Sequence, residues 1–184
     1  MKIKICGIND AAFAAEAARR VDYLGFIFEP SSPRFVTAEK AAAIVASLDA
    51  AAWQRVRLVG VFVRETPDEI VATMRRARLD IVQLHRRATA EDVAAIKTVG
   101  FEVWTLAGGA EGDGVLFDSS HGDGETAFRK GVYKSILAGR IGAENVRAAQ
   151  QLGPDVLDVN SSLETAPGVK SAALLAEFLR ALDA

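Results

Sequence analysis

Two side chains that can transfer protons each follow a short β-branched or apolar run. Cys6 comes after Ile3–Ile5 and is followed at once by Gly7, and Asp118 comes after Val115–Phe117. A cysteine becomes a general base when a nearby cation or a helix N-terminus raises its thiolate fraction. An aspartic acid becomes a general acid when apolar surroundings raise its pKa toward neutrality. Structural explanations stay open for both, because a free cysteine is often a small buried hydrophobe and a carboxylate after a strand often caps a loop.

Small residues that could bind a phosphate group follow three of the later runs. They are Gly122 and Gly124 after Asp118, Gly139 after Tyr133–Leu137, and Ser161 and Ser162 after Val156–Val159. Backbone N–H groups in such loops, together with a helix N-terminus, form anion-binding sites. Ordinary turn chemistry also explains the same residues.

Arg34, His85 and Asp158 likewise follow predicted strands and complete the set of candidate site residues. His85 ends the apolar run Ile81–Leu84 and is as consistent with a structural histidine as with a catalytic one. The chain has two histidines and one cysteine, and these do not show the spacing of metal ligands. No metal site is therefore expected.

The elements that must position these residues alternate between short strands and Ala-rich helical stretches. The predicted strands are Ile3–Cys6, Tyr23–Phe28, Arg57–Phe62, Ile81–Leu84, Glu102–Leu106, Val115–Phe117, Tyr133–Leu137 and Val156–Val159. The predicted helices are Asn9–Arg20, Thr37–Leu48, one opened by Thr66-Pro67, Thr89–Val99, Ala143–Leu152 and Val169–Leu182. Eight alternating units predict an α/β fold, a single-domain (β/α)8 TIM barrel over residues 1–184, with an open doubly wound sheet as the less favoured alternative. In such barrels the active site lies at the carboxyl ends of the strands, where all the candidates above collect.

One connection is too short for a helix. Eight residues separate Leu106 from Val115. At about 3.3 Å each they reach roughly 26 Å, just enough to return along a five-residue strand of about 17 Å. We therefore expect the fifth helix of the (β/α)8 pattern, which would follow the fifth strand, to be missing. The apolar barrel surface beside it would then be covered by a neighbouring segment or used as an interface, so a homodimer stays open.

Composition excludes several classes of partner. The 184 residues are 50% hydrophobic, carry a formal net charge of -2 and contain no basic run, so neither nucleic acid nor a membrane is expected as a partner. No segment approaches the length of a transmembrane helix or a signal peptide. A lone cysteine fits a reducing compartment, and we expect a cytoplasmic protein.

Taken together, motifs along nearly the whole chain resemble the phosphoribosylanthranilate isomerase family. In family order they are Lys4–Ile8, Gly25–Phe28 with Ser32–Arg34, Val59–Val63, Val82–His85, Leu116–Asp118, Leu137–Gly139 with Glu144–Val146, and Asp158–Glu164 with Pro167–Lys170.

The resemblance implies an Amadori rearrangement in tryptophan biosynthesis, without a cofactor. The substrate would be the phosphorylated small molecule N-(5-phosphoribosyl)anthranilate. Asp118 matches the family's general acid and Cys6 its general base. Arg34, His85 and Asp158 are expected to contact the substrate, while Gly139, Ser161 and Ser162 match the phosphate loops. Gly122 and Gly124, in the loop after Asp118, could add backbone N–H donors to the phosphate site.

Several loop residues depart from the family pattern. Arg86 and Arg140 stand where glycine is usual, His121–Glu125 replaces a Gly-Gly-Thr-Gly run, and Asn160-Ser161-Ser162 replaces Ser-Ser-Gly. Arg140 could compensate for a lost glycine with a charge-assisted phosphate contact. Two alternatives follow: a related barrel enzyme acting on another phosphosugar, or a non-catalytic barrel. Retention of both Cys6 and Asp118 speaks against the second.

Overall fold

Eight parallel strands close into a barrel in chain order in this computed structural model, which describes residues 1–119 and 128–183. The strands are β1 (Lys2–Ile5), β2 (Tyr23–Ile27), β3 (Arg57–Phe62), β4 (Ile81–Leu84), β5 (Glu102–Leu106), β6 (Gly114–Asp118), β7 (Lys134–Ala138) and β8 (Val156–Val159). Each strand pairs with the next, and β8 pairs with β1 through Lys4 opposite Asp158. The predicted barrel is confirmed, and the predicted strands agree with it to within one residue at either end.

Helices cover the outside of the barrel. They are α1 (Ala11–Ala18), α2 (Ala38–Ala46), α3 (Ala50–Arg55), α4 (Pro67–Ala77), α5 (Ala90–Thr98), α6 (Val146–Gln151) and α7 (Ala172–Asp183). Thr37, Thr66 and Thr89 cap α2, α4 and α5 with their side chains, and Pro67 opens α4 as predicted.

Three helix predictions need correction. The N-cap of α1 is Asp10 rather than Asn9, because the Asp10 carboxylate accepts the Phe13 N–H at 2.8 Å. A helix that the sequence patterns do not predict, α3, begins after a similar aspartate cap at Asp49. The last helix does not begin at Val169, because β10 (Val169–Lys170) pairs antiparallel with β9 (Glu164–Ala166).

Two apolar layers hold the barrel together. The interior is filled by residues from β2 to β8: Tyr23, Val59, Ile81, Trp104, Leu116, Ile136, Ala138 and Val156. Tyr23 and Trp104 meet edge to face across it, with ring centroids 5.1 Å apart. A larger cluster lies between the strands and the surrounding helices. Inward side chains thus form a packed core, as this fold requires.

The predicted absence of a helix after the fifth strand is confirmed, since residues 107–113 join β5 to β6 as a loop. The loop packs against the connection after β4, where the Ala110 N–H donates to the Ala88 carbonyl at 2.9 Å. On the neighbouring strand Phe117 is buried, and the Phe128 ring contacts it edge to face. Neighbouring segments therefore cover apolar surface on this side of the barrel. The homodimer stays a prediction.

The amino end of the barrel carries a fourfold repeat. One aspartate precedes each even-numbered strand and accepts a backbone N–H near the start of the preceding strand at 2.7–2.9 Å. The pairs are Asp22 with Ile3, Asp80 with Leu58, Asp113 with Val103, and Asp155 with Ser135. Each aspartate N–H also donates back to the carbonyl of its partner residue. These reciprocal bonds tie neighbouring strands together at the end opposite the candidate site.

Within residues 1–119 and 128–183, no helix is both long and apolar enough to cross a membrane.

Candidate active site

A cavity of about 440 Å³ opens at the carboxyl ends of the strands. It brings together most of the residues predicted for the site: Cys6, Arg34, His85, Asp118, Gly139, Arg140, Asp158 and Ser161. Ser162 does not line it, because its hydroxyl group donates to the Ile141 carbonyl. Gly122 and Gly124 lie outside the described residues.

Cys6 lies one residue beyond β1, where its N–H donates to the Val159 carbonyl of β8 at 2.8 Å. Only 5% of the residue is exposed. Gly25 on the neighbouring strand makes room for it, because a Cβ there would lie 3.1 Å from the Cys6 sulfur. Burial raises the pKa of the thiol, and the charges of Lys4 and Lys170 act against that rise. The predicted cations are therefore present, but burial outweighs them.

Lys4 and Asp158 form a buried ion pair beneath the cavity. The Lys4 ammonium group is fully buried and donates to Asp158 Oδ2 at 2.6 Å. Burial alone would lower the pKa of Lys4, but Asp158 and Cys6 outweigh it and raise that pKa. The second carboxylate oxygen, Oδ1, is buried without a hydrogen-bond partner. Asp158 therefore keeps one acceptor for a ligand in the cavity that it lines.

Arg34 is oriented by a buried carboxylate. Its Nε and Nη2 donate to the two oxygens of Glu164 at 2.8 and 2.7 Å, a bidentate pair. Gly7, with φ of +75°, permits this placement, because a Cβ there would lie 2.7 Å from Arg34 Cδ. Burial opposes ionisation of Glu164, yet the bonds from Arg34 and Lys170 lower its pKa to about 2.

Lys170 completes this charged group from the β9–β10 hairpin. Its side chain is 1% exposed, and the ammonium group donates to Glu164 and to both oxygens of Asn160 at 2.8–2.9 Å. Neither Lys4 nor Glu164 nor Lys170 is predicted as a site residue from the sequence. For Lys4 a signal is visible, because the charged residue lies between Ile3 and Ile5 in the predicted first strand.

Asp118 and His85 face the cavity from β6 and from the end of β4. Asp118 is the last residue of its strand, its side chain is 10% exposed, and its Oδ2 lies 3.8 Å from His85 Nε2. The other ring nitrogen of His85 lies 3.5 Å from Gln83 Nε2. His85 thus adjoins the predicted acid rather than lying elsewhere in the core.

The loop after β7 has an unusual backbone. Gly139 has φ of +104° and Arg140 has φ of +52°, so both residues lie on the positive-φ side that favours glycine. Asn145 stabilises the turn by accepting the Gly142 N–H and donating to the Arg140 carbonyl. Arg140 therefore adopts a left-handed backbone conformation that favours glycine, at a strain cost of order 1 kcal/mol.

Buried polar atoms without a hydrogen-bond partner concentrate at this cavity. Within the described residues they are Glu29 Oε2, Gln83 Oε1 and Asp158 Oδ1, and all three residues line it. Glu29 Oε2 does lie 3.2 Å from Arg64 Nε, as an ion contact. Such atoms normally find partners. Their concentration here marks the cavity as a place for a polar ligand.

The described chain holds no group of three His, Cys, Asp or Glu side chains arranged for a metal ion.

The family model for N-(5'-phosphoribosyl)anthranilate isomerase matches residues 3–181. The chain belongs to this family. A phosphoribosylanthranilate isomerase of Granulibacter bethesdensis is 35% identical over 98% of this chain and 97% of its own length.

Solved structures of the family share the fold. The phosphoribosylanthranilate isomerase of Thermus thermophilus is 32% identical, with a TM-score of 0.83 over 100% of this chain and 98% of its own. Another, 27% identical with a TM-score of 0.85 and the same coverage, was solved with reduced 1-(o-carboxyphenylamino)-1-deoxyribulose 5-phosphate. The resemblance found in the motifs is therefore confirmed over the whole barrel.

Proposed function

We propose that this chain catalyses the Amadori rearrangement of N-(5-phosphoribosyl)anthranilate to 1-(2-carboxyphenylamino)-1-deoxyribulose 5-phosphate. One observation carries the proposal. A single cavity brings Cys6, Asp118 and Arg34 together from three parts of the barrel. Membership of the isomerase family supports the reaction, and the solved complex of a relative with a reduced product analogue supports the class of ligand. Residues 1–184 act in this proposal as one domain.

In the proposed mechanism Asp118 is the general acid. It protonates the furanose ring oxygen, the bond from that oxygen to C1 breaks, and a protonated Schiff base forms. The Cys6 thiolate then removes the proton from C2, and the electron pair of that C–H bond neutralises the iminium nitrogen. The resulting enolamine tautomerises to the ketone. Each proton transfer of this kind contributes roughly 10²–10⁴-fold to the rate.

Arg34 is proposed to bind the anthranilate carboxylate. Glu164 occupies only part of its guanidinium group, so other N–H donors remain for a ligand. Because Glu164 fixes the plane of the group, less rotamer entropy is lost when the substrate binds. His85 and Asp158 are proposed to contact the substrate, Asp158 through its unpartnered oxygen.

The phosphate is proposed to bind at the loops after β7 and β8. Gly139 and Ser161 line the cavity there and can offer backbone N–H groups, and Arg140 adds a positive charge. Ser162 is proposed to act through its N–H, because its hydroxyl is already bound to Ile141. Gly122 and Gly124 remain expected contributors. A cytoplasmic location, the absence of a cofactor and a homodimer are part of the same proposal.

The test is turnover by the purified protein. Loss of anthranilate fluorescence upon addition of phosphoribosylanthranilate reports the reaction, and rescue of a tryptophan auxotroph that lacks the isomerase reports it in cells. Folded protein without turnover would refute the proposal. Turnover of a different phosphosugar alone would favour the related barrel enzyme.

A further inference from the structure

Lys4 is a buried cation that does not line the cavity but lies beside two residues that do, Cys6 and Asp158. It precedes Cys6 by two positions in the chain, so both side chains point into the barrel. Gly25 lies against both, because a Cβ there would be 3.1 Å from Lys4 Cε and from the Cys6 sulfur. The Lys4 ammonium group bonds to Asp158, and its positive charge acts to lower the pKa of the Cys6 thiol.

The charges around Cys6 are unbalanced while the thiol is protonated. Three cations, Lys4, Lys170 and Arg34, and the Asp158 carboxylate interact electrostatically with the thiol. A second carboxylate, Glu164, is bonded to Arg34 and Lys170. Loss of the thiol proton would make this buried group neutral. Further charged or titratable side chains face the same cavity from other strands and loops, namely Glu29, His85, Asp118 and Arg140.

We propose that Lys4 is a positioning residue for the reaction, whose single ammonium group holds Asp158 and stabilises the Cys6 thiolate. This inference rests on the proposed function, in which Cys6 is the base. Asp158 and the thiolate compete for the same cation. Lys4 therefore favours the thiolate, and the Asp158 carboxylate opposes it.

The competition makes two substitutions act in opposite directions. Lys4→Met removes the cation and should move the titration of the thiol to higher pH. Asp158→Asn removes the competing anion and should move it to lower pH. Cys6 is the only cysteine in the chain, so the rate of alkylation by iodoacetamide against pH reports this thiol alone. Lys2→Met is the matched control, since Lys2 lies in the same strand but is exposed.

For Lys4→Met we expect alkylation at pH 7 to slow about tenfold or more, which corresponds to at least one unit of thiol pKa. Lys2→Met should alkylate as the unsubstituted protein does. In turnover, Lys4→Met should lower kcat by more than it changes KM, and raising the pH should restore part of the loss. Lys4→Arg, which keeps the charge, should recover alkylation toward the original rate.

A Lys4→Met protein that alkylates with an unchanged pH profile would overturn the inference. An Asp158→Asn protein whose thiol titrates at higher pH would also overturn it. If Lys4→Met does not fold, because it leaves Asp158 buried and unpaired, Asp158→Asn and the double variant Lys4→Met/Asp158→Asn carry the test. The double variant should titrate at higher pH than Asp158→Asn. Alkylation requires no turnover, so an inactive protein would refute the proposed function while this test still gives its own answer.

Discussion

The two ends of the barrel use acidic side chains in opposite ways. At the amino end Asp22, Asp80, Asp113 and Asp155 each accept a backbone N–H from the neighbouring strand. Glu102 at the same end bonds Arg57, Lys134 and the Trp104 indole. At the carboxyl end Asp158 Oδ1 is buried without a hydrogen-bond partner, and Glu29 Oε2 has no hydrogen-bond partner but makes an ion contact with Arg64.

The difference indicates that acidic side chains at the amino end stabilise the fold, whereas those at the carboxyl end are available to bind a ligand. A carboxylate whose oxygens are bonded by the protein contributes to folding and has little left for a ligand. An unpartnered buried oxygen costs about 1–3 kcal/mol of stability, and a ligand that pairs with it recovers that cost on binding. The carboxyl end is therefore built for a polar ligand at some expense of stability, while the amino end joins the strands.

The largest expected effect is on catalysis at the carboxyl end. Cys6→Ala and Asp118→Asn should each lower kcat by about 10²-fold or more, since each removes a proton-transfer group. Asp80→Asn at the amino end is the matched control and should leave kcat unchanged. Fluorescence assays of turnover measure all three. Undiminished rates in the first two would remove the assigned roles and leave the fold as described.

Next in size is binding by Arg34. Arg34→Lys cannot form the bidentate pair with Glu164, and it presents a point charge in place of a planar fork. We expect KM to rise roughly 10- to 100-fold, the worth of one charge-assisted hydrogen bond. Arg64→Lys is the control, because Arg64 lies on the same rim with a 76% exposed side chain. An equal rise in KM in both variants would contradict the role assigned to Arg34.

Stability should respond at the amino end. Asp80→Ala removes the acceptor for the Leu58 N–H, bonded at 2.7 Å, and should lower the free energy of unfolding by about 1–3 kcal/mol. The kcat of the folded protein should not change. Urea unfolding followed by circular dichroism gives the first quantity. A loss of kcat without a loss of stability would reverse the division between the two ends.

Low pH should reduce the free energy of unfolding through one glutamate at each end of the barrel, Glu102 and Glu164. The pKa of Glu102 and that of Glu164 are both lowered to about 2 from an ordinary value of 4.5. Because the folded-state pKa is the lower one, their contribution to stability is complete above about pH 4.5 and is lost as pH falls toward 2. Glu102→Gln and Glu164→Gln should each flatten the dependence of unfolding free energy on pH in this window. A pH dependence as steep as that of the unsubstituted protein would contradict the assigned ion pairs.

The smallest effect is expected in the loop after β7. Arg140→Gly relieves a positive φ but adds flexibility to the unfolded chain, so stability should change by less than about 1 kcal/mol. Loss of the charge should raise KM several-fold if Arg140 binds the phosphate. Arg140→Asn, which tolerates this backbone without the charge, should behave like Arg140→Gly. A KM unchanged in both variants would place the Arg140 side chain outside the phosphate site.

Local sequence patterns predict most of the strands and helix starts of the barrel. Apolar runs predict each strand to within a residue, and Thr66-Pro67 predicts the start of α4, because strand alternation and capping depend on neighbouring residues. The length of the segment after Leu106 predicts that no helix fits there. The start predicted at Val169 is wrong because Val169 and Lys170 pair with β9 in a tight hairpin, and a search for helical periodicity does not detect such strand pairing.

The sequence by itself determined the family, the barrel and the rim where the candidate residues gather, since order and spacing along the chain carry that information. Only the tertiary structure decided which charges meet. Lys4 reaches Asp158 across 154 positions, and Arg34 reaches Glu164 across 130. Such pairs form through closure of the barrel and the shared burial of their side chains, and burial in turn sets the pKa of Cys6. Electrostatic energy depends on distance and on solvent access, and neither quantity is written in a linear order of residues.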